Sequence, residues 1–502
     1  MDKQFTSVIN RKTRKFTEAT NYKNQVEDYY LLPMRFHRLN DEKEVLVSEV
    51  GDFLIVETGT AERVISRDVS RESEPLLYGD LLSNFMIAEQ PIPTLLNILE
   101  TRYRTKKSFL DGFTALHIFV ISLRCEHTCH YCQVSRVTEN KDEFDMSRFH
   151  IDHGIALMMQ SPNEHVTMEF QGGEALLAFE NIKYGVLKAK ERALELGKSI
   201  SFVICTNLAP LKDDMLPFIK DHGIMISTSL DGPAEIHNKN RHRPQRNSYE
   251  LTLEGIAKCR ESLGEEQVSA LLTTSNLSLD YPNEIVEEYV RLGFRNIFLR
   301  PISPYGFATY NAKKNHYETE RFLTFYKKAF ERILDYNREG YFIREDYATI
   351  ILKKILSPFP VGYVDLQSPA GLINSVIVFN YDGKIYASDE ARMLAEMKDY
   401  TFQLGTLGKS TYNEIFYGEK AEEIAQVWSN ESLAGCSDCA FQSYCGADPV
   451  LHHATQGDMY GYRPESVFCQ KNMEIIRYLF ELMENDKGVE KVFRSWITGH
   501  SS

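Results

Sequence analysis

From residue 116 onward, short apolar runs alternate with longer amphipathic stretches. Residues 116–123 read Leu-His-Ile-Phe-Val-Ile-Ser-Leu, the pattern of a buried strand, and similar runs recur at 166–170, 201–205, 223–227, 268–272 and 296–299. Most of the intervals leave room for a helix, so the repeat is βα and predicts a parallel sheet. About six such units make an α/β fold, a partial (β/α)6 TIM-like barrel over 109–315 with its chemistry at the carboxyl ends of the strands. The period then lengthens: Phe322, Phe325, Tyr326, Phe330 and Ile333 recur at three- and four-residue spacing, which reads as the core face of a helical connector over 316–365. Ahead of the barrel, apolar runs at 45–47 and 53–56 flank Gly51-Asp52 and predict paired strands, with a short helix at 82–86. They define a small amino-terminal α+β domain over 31–108. The remaining segments are a mobile basic tail at 1–30, a cysteine-bearing domain at 366–485 and a carboxy-terminal tail at 486–502.

Polar clusters fall at the predicted strand ends. Gln171-Gly172-Gly173-Glu174 follows the second strand, Thr206-Asn207 the third, Ser229-Leu230-Asp231-Gly232-Pro233 the fourth and Arg300-Pro301 the sixth. Each is also ordinary turn chemistry, but their common placement points to one site. Directly after the first strand stand Cys125, Cys129 and Cys132, spaced C-x3-C-x2-C. Three thiolates can hold three irons of a cubane [4Fe–4S] cluster and leave the fourth open to a substrate. A zinc site completed by His127 or His130 also fits the spacing. A second group, Cys436, Cys439, Cys445 and Cys469, can close one cubane or one tetrahedral zinc. Cys205 and Cys259 match no ligand spacing and read as buried fillers.

The 502-residue length allows two or three domains, and 43% apolar with 25% charged residues is the composition of a soluble globular protein. No apolar run reaches the length of a membrane span, and the first residues lack the apolar core of a secretory signal. A cytoplasmic location is expected, with no membrane partner. In a reducing compartment nine cysteines are ligands, catalysts or fillers rather than disulfides. A net charge of −14 argues against nucleic acid as a partner. The basic stretch from Arg11 to Lys15 reads as a solvated tail.

With the aromatic Tyr131 one residue before Cys132, the first cysteine loop resembles the signature of the radical S-adenosylmethionine (SAM) superfamily. The resemblance implies that SAM chelates the open iron through its amino and carboxylate groups, and that an electron from the cluster cleaves it to methionine and a 5′-deoxyadenosyl radical, which abstracts hydrogen. Gly172, Gly173 and Glu174 match the family's G-G-E motif for the SAM amino group. Ser229 and Arg241 are similar to groups that hold its ribose and carboxylate, with Arg243 a competitor for the second role. Thr206 and Asn207 would line the same cavity.

The carboxy-terminal cluster resembles the SPASM domain of peptide- and protein-modifying members, which carries two auxiliary [4Fe–4S] clusters. Ser368 and Ser388, which flank Gly383, and Pro449, four residues after Cys445, stand where the resemblance expects cysteines, so the inner cluster is expected to be absent. The resemblance therefore implies one auxiliary [4Fe–4S] cluster, on Cys436, Cys439, Cys445 and Cys469. Asp389 occupies the place where sulfatase-maturing relatives carry a proton-accepting aspartate; a helix-cap reading fits it equally.

The stretches 32–39, 444–450 with 454–458 and 463–464, and 469–479 resemble the His-Xaa-Ser system radical SAM maturases. That likeness implies a ribosomally made precursor peptide as substrate, crosslinked or oxidised, with a companion radical SAM protein and an external electron donor. The amino-terminal domain is similar to leader-peptide recognition domains, where a peptide adds a strand to a sheet edge; a plain cap on the barrel fits as well. A different class also stays open: a non-catalytic iron–sulfur or zinc partner that presents a peptide to another enzyme.

Overall fold

The computed structural model describes residues 29–89, 93–132, 140–306, 308 and 317–499; the basic stretch at 11–15 lies outside them. The chain divides into two compact units, Met1–Glu100 and Thr101–Ser502.

In the first unit, strands β1 (Met34–Arg38), β2 (Lys43–Ser48) and β3 (Phe53–Glu57) form an antiparallel sheet in that order. Gly51 takes the left-handed conformation that the β2–β3 turn requires (φ 77°). The central strand buries Val45, Leu46 and Val47. Helices Thr60–Ser66 and Pro75–Ser83 contribute Val64, Tyr78 and Leu81 to a core shared with Tyr29, Leu46 and Met86. The helix expected at 82–86 instead ends at Ser83, because Phe85 sits at positive φ (57°) and turns the chain.

The second unit is built on an eight-stranded sheet. Its strands are β4 (Leu116–Ser122), β5 (His165–Gly172), β6 (Ser199–Thr206), β7 (Met225–Ser229) and β8 (Val268–Leu271), followed after an excursion by β11 (Val376–Phe379), β12 (Lys384–Tyr386) and β13 (Gln403–Thr406). The order is β8-β7-β6-β5-β4-β11-β12-β13. Neighbours from β8 to β11 pair parallel, and the last two strands are antiparallel.

The parallel part is the predicted open barrel, with one strand exchanged. Residues 296–299 do not extend the ladder beyond β8. They form a two-residue strand, β9 (Asn296–Ile297), paired with β10 (Arg344–Glu345) in a separate sheet. A lone bridge joins Thr274 to Pro301, where proline has no N–H to carry pairing onward. The sixth parallel strand is β11, on the opposite edge beside β4, so the carboxy-terminal region is woven into the barrel sheet. Phe119 of β4 and Phe379 of β11 meet edge to face at 5.0 Å.

Alternation along β5 and β6 separates two faces. Met168 and Phe170 pack against Gly185 of the helix Phe179–Leu196, so Glu169, Gln171 and Cys205 point into the barrel. Cys259 is fully buried, as expected of a filler. Cys205 is more than that: it is half-buried, and its thiol donates to Glu169 Oε1 at 3.4 Å.

The connector contains helices Thr319–Arg338 and Asp346–Leu356, and all five predicted apolar positions of the first are buried. The segment expected as a carboxy-terminal tail instead forms the helix Lys487–Thr498, capped by Asp486, which buries Val489, Val492, Phe493 and Trp496. Among the described residues no helix is long and apolar enough to cross a membrane.

Candidate active site

The first cysteine loop leaves the carboxyl end of β4 and is braced at its base. Arg124 forms a two-pronged ion pair with Asp145, Nε and Nη2 each 2.7 Å from a carboxylate oxygen, and Nη2 also donates to the Leu177 carbonyl at 2.9 Å. Ser122 Oγ donates to the same carboxylate at 2.7 Å. Both members of the pair are largely buried, where a bidentate geometry offsets the cost of desolvation.

Gly172 and Gly173 close against this strand end. The Gly173 N–H donates to Ser122 O and the Glu174 N–H to Arg124 O, both at 2.8 Å. A Cβ on Gly172 would meet Ser122 O at 1.9 Å, and one on Gly173 would meet the Leu123 and Arg124 carbonyls at 2.5 Å. The two glycines thus let a second backbone approach the loop just ahead of Cys125.

The predicted polar residues then fall into one hydrogen-bonded network. The buried Glu174 carboxylate accepts from Leu176 N–H (2.9 Å), Thr206 Oγ1 (2.6 Å) and Asn207 N–H (2.7 Å). Burial, and then the neighbouring Glu126, push Glu174 up to about 8. Asn207 Nδ2 lies 3.0 Å from His127 Nδ1, His127 Nε2 2.7 Å from Ser248 Oγ, and Ser248 Oγ 3.0 Å from His237 Nε2. The Asp231 N–H donates to His237 Nδ1 at 3.3 Å.

Asp231 is the hub of the far side. The Tyr131 hydroxyl donates to its Oδ2, while Arg241 Nε stands 3.2 Å from its Oδ1 and the guanidinium lies over the Tyr131 ring. The aromatic residue of the loop therefore anchors the loop to the fourth strand end. Ser229 closes β7 opposite Leu271 of β8. Arg243 donates to Asn247 Oδ1 at 3.4 Å, and its buried Nε has no hydrogen bond among the described residues.

Asp389 opens the helix Asp389–Glu396, whose cap is Ser388 Oγ accepting from Ala391 N–H at 3.2 Å. Asp389 is ion-paired with the fully buried Arg392 at 2.8 Å. It also acts on two groups of the barrel interior: burial raises Glu169, hydrogen bonds from Gln171 and Cys205 oppose that, and Asp389 adds to the rise, while Cys205 is raised by burial, then by Glu169, then by Asp389. Sequence reasoning passed over Asp231, Asp145, His237 and Ser248. Asp231 did lie inside a quoted motif, but as a turn residue.

The donor sets suit iron–sulfur clusters. A single tetrahedral ion draws thiolates to roughly 3.8 Å of one another. Among the described residues only Cys125, Glu126 and His127 bring three ligand atoms within 4.8 Å, and both His127 ring nitrogens already meet protein partners. Neither cysteine set closes to single-ion spacing, whereas a cubane spreads its thiolates around four irons.

In the second set, Cys436 and Cys439 share a turn, Cys445 follows the short helix Gln442–Tyr444, and Cys469 is in the first turn of the helix Val467–Asn485. Burial, then Cys445, Cys439 and Cys436, push Cys469 up to about 12, so the four share one neighbourhood. Arg463 Nε donates to Cys436 Sγ at 2.9 Å and Asn472 Nδ2 to Cys445 Sγ at 3.7 Å.

The family model described as the radical SAM superfamily matches residues 119–276. The chain is 30% identical over 195 residues to an uncharacterized protein of Methanothermobacter thermautotrophicus, covering 38% of this chain and 69% of that one. It is 22% identical over 374 residues to a cysteine-type anaerobic sulfatase-maturating enzyme of Clostridium novyi, covering 71% and 95%. Among solved structures it is similar to native anSMEcpe with bound AdoMet and Cp18Cys peptide, with a TM-score of 0.60 at 18% identity over 74% of this chain and 98% of that chain; the likeness is one of fold.

Proposed function

Because the chain belongs to the radical SAM superfamily, we propose that it binds SAM beside a [4Fe–4S] cluster on Cys125, Cys129 and Cys132 and modifies a ribosomally made peptide of the His-Xaa-Ser type. The product is a crosslink or another oxidised side chain. The observation that carries this reading is the cysteine loop at the end of β4, closed by Gly172 and Gly173 and anchored through Tyr131 to Asp231. When bound, the cluster supplies the electron that splits SAM into methionine and a 5′-deoxyadenosyl radical.

The chain's own residues hold and orient. The Gly172-Gly173-Glu174 backbone lies along the loop; Thr206, Asn207 and Ser229 stand at neighbouring strand ends. Glu174 already accepts three protein donors, so its part is to fix Thr206, Asn207 and the turn at Leu176. Arg241 is committed to Asp231, which leaves Arg243 as the better candidate for the SAM carboxylate. Asp389, inside the barrel, accepts the proton released when the substrate radical is oxidised. Cys436, Cys439, Cys445 and Cys469 would hold one auxiliary [4Fe–4S] cluster, and an external donor supplies electrons.

The peptide substrate is supported by the His-Xaa-Ser maturase resemblance, by curated relatives named sulfatase-maturating enzymes and by the peptide-bound state of the solved neighbour. A companion radical SAM protein belongs to the same reading. The second reading, sulfatase-maturase-like oxidation of a protein side chain, is favoured by the same relatives together with the placement of Asp389.

Reduced protein with both clusters intact is expected to release 5′-deoxyadenosine from SAM under anaerobic conditions. Co-expression with a His-Xaa-Ser peptide is expected to lower the peptide mass by two hydrogens. Intact clusters without 5′-deoxyadenosine would make the protein a non-catalytic presenter, and a mass change on a sulfatase peptide alone would select the second reading.

A further inference from the structure

A cavity of about 360 Å³ opens in the second unit, within the size range of small-ligand sites. Its charged lining comes from four places in the chain: Arg300 after β9, Asp365 of the connector, Glu390 in the first turn after Ser388, and Asp448 with Lys471 from the auxiliary cysteine region. Ser388 and Pro449, two positions at which the resemblance expects cysteine, line it too.

These charges are not collapsed into pairs. The Arg300 guanidinium lies 5.4 Å from the Phe298 ring centroid and the Lys471 ammonium 4.4 Å from that of Tyr347. Among the described residues neither cation has a hydrogen bond or an ion pair within 4 Å. Asp365 accepts from the Tyr363 hydroxyl at 3.1 Å, Asp448 from the Leu451 N–H at 3.0 Å, and Glu390 from its own backbone. Unpaired charge away from bulk water is costly, so five charged groups held apart around one space form an arrangement that an occupant completes. Both cations already lie over aromatic faces, which take up part of their charge. With all three carboxylates ionised, the lining carries one negative charge more than its two cations balance.

We propose that this cavity holds the peptide substrate by a basic side chain, a guanidinium, ammonium or imidazolium, received by Asp365, Glu390 and Asp448; the inference rests on the peptide-modifying reading above. Arg300 and Lys471, with their aromatic rings, form the opposite wall and meet peptide carbonyl groups. The carboxylates already crowd one another. Burial, then Asp365 and Asp389, push Glu390 up to about 8, and burial, then Asp365, push Asp448 up to about 6, so an entering cation relieves both.

The test is calorimetric titration of the cluster-loaded protein with blocked pentapeptides Ac-Gly-Gly-Xaa-Gly-Gly-NH2, where Xaa is Arg, Lys, His, Glu or Leu. At least one basic peptide is expected to bind about tenfold more tightly than the Glu and Leu peptides. Glu390→Gln and Asp448→Asn, checked by iron content and melting temperature, are expected to cut that preference below about threefold. Lys471→Met keeps all three carboxylates and is expected to enlarge it, which preserves the test if the other variants fail to fold. Tightest binding of the Glu peptide, equal binding of all five, or a preference untouched by every folded variant would overturn the proposal. Assay of the same protein for 5′-deoxyadenosine separates the two readings: SAM cleavage without basic preference removes the cavity inference alone, and basic preference without cleavage removes the enzyme.

Discussion

In the first cysteine set Cys125 Sγ accepts a backbone N–H, that of His127 at 3.4 Å, whereas in the second set Cys436 and Cys445 accept from side chains. At the first site the Arg124–Asp145 pair, the Gly172-Gly173 backbone and the Tyr131–Asp231 bond all act on the loop around the sulfurs. At the second, Arg463 and Asn472 donate to Cys436 and Cys445 themselves. Donors on sulfur tune and retain a cluster. A loop positioned from behind keeps its front for a substrate. Under the proposed function, this difference would separate a site that reacts from one that stabilises or passes electrons.

The sharpest way to break this comparison is to remove one ligand from each site. Cys125→Ala is expected to lower iron by about four per chain and 5′-deoxyadenosine formation by about a thousandfold or more. Cys469→Ala is expected to lose about as much iron but to slow formation by only about tenfold. Iron analysis and chromatography of the nucleoside measure both; equal losses of activity would erase the distinction.

The bracing behind the first loop gives the next largest effect. Asp145→Ala leaves the Arg124 guanidinium buried without its partner and is expected to cost about 3–5 kcal/mol of stability, read as a lowered denaturant midpoint. An effect near zero would mean that the pair does not carry the loop. Tyr131→Phe removes only the hydroxyl bonded to Asp231 and is expected to cost about 1–2 kcal/mol with the ring still in place. A cost as large as that of Asp145→Ala would move the main support of the loop from its base to its tip.

Much of this arrangement was legible in the chain, because it rests on local pattern. Three cysteines after an apolar strand, Gly-Gly-Glu after the next and the alternating βα runs all report their role within a few residues. What stayed hidden depends on distant pairing. Nothing near 376–379 announces that β11 lies beside β4, and the run at 296–299 reads as a sixth barrel strand until Pro301 and the pairing of β9 with β10 are seen. Asp231 carries turn chemistry in its own neighbourhood; its role comes from Tyr131 and Arg241, 100 residues upstream and ten downstream. Cys205 looked like a filler because the carboxylate it meets is on the adjacent strand, at Glu169.

The smallest expected effect concerns His237, which joins the two sides of the network. Burial lowers its pKa to about 3, with Asp231 opposing and Arg241 and His127 adding to the fall. The ring is therefore neutral in the fold, where Nδ1 accepts the Asp231 N–H. In the unfolded chain the same histidine takes a proton near its ordinary pKa of about 6.5. The unfolded state then binds a proton that the folded state refuses, so the stability present above pH 6.5 is lost as pH falls toward 3. Melting of the cluster-loaded protein is expected to move to lower temperature between pH 7.5 and 5.5. His237→Gln, less stable at the start because the network is broken, is expected to fall less over that window. Parallel slopes for the two proteins would show that the acid-sensitive member lies elsewhere, and the link between the Glu174 and Asp231 sides would then be one of packing rather than of protonation.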